Sequence, residues 1–169
     1  MWHVGIDLHR ESLTIAALED DGRVHPAQRF SCADVPQVLD ALQAFGSFRA
    51  VIEATATYRW LYDLLSPHGT VLLAHPLRLR AMCQRRTKTD RLDAQLLAQL
   101  LRMDQIPLSY VPDQRLQELR ELTRYRTSIA REGAKAKTKL RHLLAVRNMR
   151  APYKYPFGSR GLYWFSRQD

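Results

Sequence analysis

Four carboxylates in this chain could do chemistry together: Asp7, Glu53, Asp90 and Asp93. Asp7 lies in the strand-like opening MWHVGIDL, and Glu53 ends a short apolar run. Asp90 and Asp93 stand directly behind a basic cluster in RRTKTDRLDAQLL, residues 85–97. A spacing of three puts them on one face of a helix, with Cβ atoms about 5–6 Å apart. Carboxylates gathered in one place raise one another's pKa and resist joint ionisation, so a cluster of this kind asks for a cation. Mg2+ is the expected cofactor, because it takes oxygen ligands and keeps water and substrate phosphate in its shell. A pair of such ions about 3.5–4 Å apart would activate one oxygen and stabilise the departing one in phosphodiester cleavage. Asp7, Glu53, Asp90 and Asp93 are therefore the candidate metal-binding and catalytic residues. Arg78, Arg80, Arg85, Arg86, Lys88 and Arg91 would hold the phosphate backbone beside them, and the metal explains why opposite charges sit so close in sequence.

Each acid also has a plainer reading. Asp90 follows Thr87 and Thr89 at a helix start, where capping and the helix dipole favour an aspartate without any chemistry. Asp93 could be a surface partner of Arg91 or Arg86, and Glu53 a partner of Arg59. Asp7 is the hardest to dismiss, since aspartate is depleted in strands and its neighbours on the other face are uninterruptedly apolar. Taken as a set on one inferred edge, the acids favour metal.

The elements that must position them follow from periodicity. Residues 2–8 alternate, with Trp2, Val4, Ile6 and Leu8 on one side and His3, Gly5 and Asp7 on the other. Ser12 to Glu19 reads as a second strand, Asp20-Asp21-Gly22 as a hairpin turn, and Arg23 to Phe30 as a third strand. The period then changes: Val35, Val38, Leu39, Leu42 and Phe45 recur at threes and fours between a capping Asp34 and a terminating Gly46. Strands at 50–54 and 70–75 flank a helix at 58–65, and helices follow from Leu77 to about Cys83 and from about Asp90 to Met103. This order predicts an α/β fold, a mixed five-stranded sheet flanked by helices in RNase H-like topology over residues 1–112. Residues 113–148 predict a long helical region. Positions 119, 122, 126, 129, 133, 136, 140 and 143 form a heptad line, broken at Arg126 and Gly133, that fits a coiled coil or a helical hairpin. Residues 149–169, rich in Pro, Gly, aromatic and basic side chains, show no period and read as the start of a further domain.

Charge narrows the function classes. The chain carries 26 Lys and Arg against 17 Asp and Glu, and the excess is uneven. Residues 1–77 hold 5 basic and 9 acidic side chains, residues 78–169 hold 21 and 8. The second half is built for a polyanion, and basic residues interleaved with aromatics favour nucleic acid over a membrane surface. Lys135, Lys137, Lys139 and Arg141 on the long helix join the candidate nucleic-acid contacts, while Tyr153, Tyr155, Tyr163 and Trp164 could stack bases or pack as core. No apolar run reaches the roughly 20 residues that span a bilayer, and the start lacks a signal pattern, so a cytoplasmic protein is expected. Cys32 and Cys83 are isolated, giving neither a disulfide framework nor a zinc pattern, and read as small buried hydrophobes. The six histidines are scattered without ligand spacing, and His9 or His75 at a strand end reads as an ordinary hydrogen-bonded group.

Three stretches, GIDLHRESLTIAAL, VIEATATYRWL and KTDRLDAQLLAQLL, resemble the signature blocks of the DEDD transposases of the insertion-sequence-110 type, the Piv-like recombinases. The resemblance spans about residues 3–150. It implies a RuvC-like domain with Asp7, Glu53, Asp90 and Asp93 at the four acidic positions holding Mg2+. It also implies DNA strand exchange, a structured guide or bridge RNA in many members, and homo-oligomers joined through the helical region. Two departures stand out. Ala56-Thr57-Tyr58 replaces the Gly-Gly-Tyr type sequence common after the glutamate, and the chain ends before the family's serine-bearing domain, with Ser159 and Ser166 at no recognisable equivalent. The expected function is a transposase N-terminal region, Mg2+-dependent in DNA binding and strand cleavage and exchange, truncated before that domain. A non-catalytic DNA- or RNA-binding module is the alternative. An actin-like ATPase shares the opening hairpin but needs Gly-rich phosphate loops that 7 scattered glycines do not supply.

Overall fold

The computed structural model describes residues 1–82 and 89–167. The chain divides into two compact units, Met1–Val111 and Pro112–Asp169.

In the first unit, β1 (Trp2–Leu8), β2 (Ser12–Glu19) and β3 (Val24–Ser31) form an antiparallel meander. The turn between β2 and β3 uses Gly22 at φ +91°, a left-handed conformation in which a side chain would be strained. Helix α1 (Val35–Gln43) leads to β4 (Phe48–Glu53), α2 (Tyr58–Leu65) to β5 (Thr70–Ala74), and α3 (Pro76–Met82) and α4 (Asp90–Arg102) complete the unit. The strands order as β3-β2-β1-β4-β5, with β4 parallel to both β1 and β5. This is the mixed five-stranded sheet of an RNase H-like α/β fold, and β1 is its central strand. β3 carries Pro26 and lies at the sheet edge, where the missing N–H costs no ladder bond.

Alternation along β1 sorts the two faces. Val4, Ile6 and Leu8 pack with Val38 and Leu42 of α1 and Leu61 and Leu65 of α2. On the opposite face Val51 and Ala74 pack with Leu79 of α3 and Leu97, Leu100 and Leu101 of α4. Gly5 and Asp7 belong to this second face. The chain therefore places a helix directly over the strand that carries the first acid.

The second unit is built on α5 (Gln114–Val146), one continuous helix of 33 residues. Asp113 caps it, its side chain accepting from the Leu116 N–H at 2.7 Å. No helical hairpin forms: Gly133 costs about 1 kcal/mol of propensity, which does not break a helix whose neighbours on both sides are strong formers. No residue of α5 is buried within its own unit.

After Asn148 the sequence predicts no regular element, yet α6 (Ser159–Phe165) forms. It is too short to show a period, and its seat is a contact that no hydropathy pattern reports. A Cβ on Gly161 would stand 1.9 Å from the Pro156 carbonyl oxygen. Phe157 stacks on Phe165 with ring centroids 5.8 Å apart, and the Arg141 guanidinium lies 5.0 Å above the Phe157 ring. Cys32 also departs from expectation, being half-buried against the α1 side of the core instead of enclosed in it. Cys83 lies outside the described residues.

Candidate metal centre

Gly5 is the residue that makes the site possible. A Cβ there would lie 2.1 Å from the Ala94 carbonyl oxygen and 2.5 Å from the Ala98 nitrogen, so α4 rests on bare β1 backbone. Asp7 is two residues further along the strand on the same face. Asp90 lies one helical turn before Ala94, and Asp93 immediately precedes it. The close approach at Gly5 thus carries the first turn of α4 to the carboxyl end of β1.

Helix α4 starts at Asp90, but Asp90 is not its cap. Thr89 is in an extended conformation, and its hydroxyl accepts from the Leu92 N–H at 3.3 Å. The Asp90 carboxylate is left to face β1. Thr89→Ala should cost about 1 kcal/mol, seen as a fall in melting temperature with fraying of the first turn of α4.

Among the described residues, the metal-competent donor atoms that lie within 4.8 Å of one another belong to Asp7, His9 and Asp90. His9 Nε2 is 3.1 Å from Asp7 Oδ2 and 3.1 Å from Asp90 Oδ1. Asp7 is buried, at 9% exposure, and Asp90 is half-buried. Burial pushes the Asp7 carboxyl above the ordinary aspartate value. The Asp90 and Asp93 charges push the same way, and His9 pulls against them. Asp93 is therefore close enough to act on Asp7 electrostatically, although it stands outside the tight group. Glu53 occupies the end of β4, one residue past the registered pair Ile6 and Ile52, and so adjoins Asp7 at the carboxyl ends of neighbouring parallel strands. It is half-buried and also outside the tight group.

His9, which the sequence reads as an ordinary hydrogen-bonded group at a strand end, is the third member of the tight group. The signal was present in Asp-Leu-His, since a spacing of two returns a side chain to the same face of an extended chain. Nothing in the sequence shows, however, that Asp90 would arrive on the ring's other side.

The donor set suits a divalent cation. A buried carboxylate held above its usual pKa beside two others, with one imidazole in reach, is relieved by a positive charge placed between them. Arg78, Arg80 and Arg91 are solvent-exposed; Arg85, Arg86 and Lys88 lie outside the described residues. Lys135, Lys137, Lys139 and Arg141 are exposed on α5, and two of them have a local role as well. Lys137 and Arg141 lie 5.9 Å and 5.0 Å from the Phe157 ring centroid, so they brace the α6 region by cation–π contact. No helix among the described residues is long and apolar enough to cross a membrane.

Residues 4–147 match a family model described as transposase, of the DEDD type of insertion sequence 110. The matched stretch contains all four acids, Asp7, Glu53, Asp90 and Asp93. No curated protein matches the chain.

Proposed function

From the premise that the chain belongs to the DEDD transposase family of the insertion-sequence-110 type, and so to proteins that bind and rearrange DNA, we propose that the rim formed by β1, β4 and α4 is a Mg2+-dependent phosphodiester-cleaving centre. The observation that carries the reading is the meeting of Asp7 with Asp90 across the Gly5 contact. Asp7 is the fixed ligand, held by the sheet and shielded from water. Asp90 and Asp93 approach from a helix whose position depends on packing, and Glu53 closes the rim from the adjacent strand. Divalent metal, when bound, supplies Lewis-acid polarisation of the phosphate and a more nucleophilic oxygen at neutral pH. Arg78, Arg80, Arg85, Arg86, Lys88 and Arg91 supply positive charge for a nucleic-acid backbone, and Lys135, Lys137, Lys139 and Arg141 offer a separate set of phosphate contacts on α5. Such cations are indifferent to whether phosphate belongs to DNA or to a structured RNA.

Self-association through α5 belongs to the same reading. Leu119, Leu122, Ile129, Leu140 and Leu143 follow the heptad line and are all exposed within their own unit. A second copy of the helix would cover them.

The test combines salt and metal. Affinity for duplex DNA, and separately for a folded RNA, should fall steeply with salt concentration. Mg2+ should strengthen DNA binding by the wild-type protein and leave an Asp7→Asn, Asp93→Asn double variant unaffected. If Mg2+ acts on both folded proteins alike, these acids hold no metal and the chain is a non-catalytic binding module.

A further inference from the structure

We propose that His9 is a nitrogen ligand of the metal centre, and that it makes the site bind a first-row transition cation such as Mn2+ more tightly than Mg2+. The inference rests on the metal-centre reading above and adds a residue outside the four acids.

The geometry is that of a coordination edge. One imidazole nitrogen, Nε2 of His9, stands 3.1 Å from an oxygen of Asp7 and 3.1 Å from an oxygen of Asp90. A cation about 2.1 Å from each of its octahedral ligands places adjacent ligands about 3.0 Å apart and opposite ones about 4.2 Å apart. Both contacts of His9 match the shorter separation, and all three atoms fall within 4.8 Å of one another. A single N–H would have to split between two carboxylates to satisfy both as a hydrogen bond. A cation inserted among the three atoms satisfies all of them at once.

The backbone that carries the ring is held in place. The His9 backbone N–H donates to the Ser12 carbonyl at 2.9 Å, and the His9 carbonyl accepts the Cys32 thiol at 3.7 Å. These contacts fix the backbone of the β1–β2 turn, so the side chain leaves it on the Asp7 side. His9 is otherwise half-exposed and fills no core space.

The choice of cation follows from donor chemistry. Mg2+ takes oxygen ligands and gives up its waters reluctantly, so an imidazole adds little to its affinity. First-row transition ions accept imidazole readily, and a mixed nitrogen and oxygen set favours them.

Mn2+ alone is the probe. Wild-type protein loaded with Mn2+ should show a 14N modulation in its electron spin echo, the mark of a coordinated imidazole, and His9→Gln should abolish it. Calorimetric titrations should show the variant losing about tenfold or more in Mn2+ affinity with a much smaller change for Mg2+. The wild-type spectrum is informative without any variant. Mn2+ bound without nitrogen modulation, or a modulation that survives in His9→Gln, would overturn the assignment of His9 while leaving the carboxylate centre standing. Tighter binding of both ions by the variant would overturn it too, by showing that the ring competes with the metal. If neither ion binds the wild type, both readings fall.

Discussion

Replacing Asp7 by Asn is expected to make the metal-free protein more stable at neutral pH while removing its response to divalent cations. Burial raises the folded-state pKa of Asp7 above the ordinary aspartate value. A carboxyl whose pKa is raised on folding binds its proton more tightly in the folded state. Its ionised form therefore costs stability above the folded pKa, and the cost fades as the pH falls below the unfolded value. Asn mimics the neutral form and keeps an oxygen that His9 can donate to. The variant should melt higher than the wild type at pH 7, and the difference should shrink toward pH 4. Adding Mg2+ or Mn2+ should then raise the wild-type melting temperature and leave the variant where it was. The accompanying loss of metal affinity should exceed the roughly 10–100-fold that changes outside the ligand shell produce. Calorimetric melts from pH 4 to pH 8, with and without metal, read both effects. A variant less stable than the wild type at pH 7 and still responsive to metal would show that Asp7 is a structural group.

Gly5→Ala should do more damage than any single loss of a ligand. The added methyl would meet the Ala94 carbonyl oxygen at 2.1 Å, the Ala98 nitrogen at 2.5 Å and the Leu97 Cβ at 2.8 Å. Two of these are backbone atoms of a buried helix turn and cannot rotate away. Small-to-large changes in a packed interior cost about 1–3 kcal/mol, occasionally more, and here the upper end applies because α4 must lift as a body. A loss of about 3 kcal/mol would lower the melting temperature by about 10 °C. Lifting α4 also withdraws Asp90 from Asp7 and His9, so the surviving folded fraction should bind divalent metal weakly. Urea unfolding followed by circular dichroism measures the first effect, and metal titration under native conditions the second. Wild-type stability in Gly5→Ala would mean that α4 does not rest on β1 as the structure has it.

The sequence made the sheet legible because its strands alternate cleanly. Val4, Ile6 and Leu8 on one face with Gly5 and Asp7 on the other is a pattern that only a strand explains, and α2 ends at Leu65 where Pro67, His68 and Gly69 follow. β4 was harder. It begins at Phe48, earlier than the apolar run at 50, because Phe48 and Arg49 pair with Trp2 and His3 of β1, a partnership invisible locally. The periodic part of α5 was legible; α6 was not, since its stability comes from Gly161 lying on Pro156. At the site, Asp7 and Asp90 could be matched from topology and helix spacing. His9 could not, because its role depends on where α4 lands, which is decided by the missing side chain of Gly5.

The most direct measurement is anomalous X-ray scattering from crystals soaked in Mn2+. The result expected is a peak within about 2.2 Å of carboxylate oxygens of both Asp7 and Asp90, on the rim between β1 and α4. A peak elsewhere, or well-ordered carboxylates with no peak between them at saturating Mn2+, would contradict the claim that these acids were gathered to hold a metal.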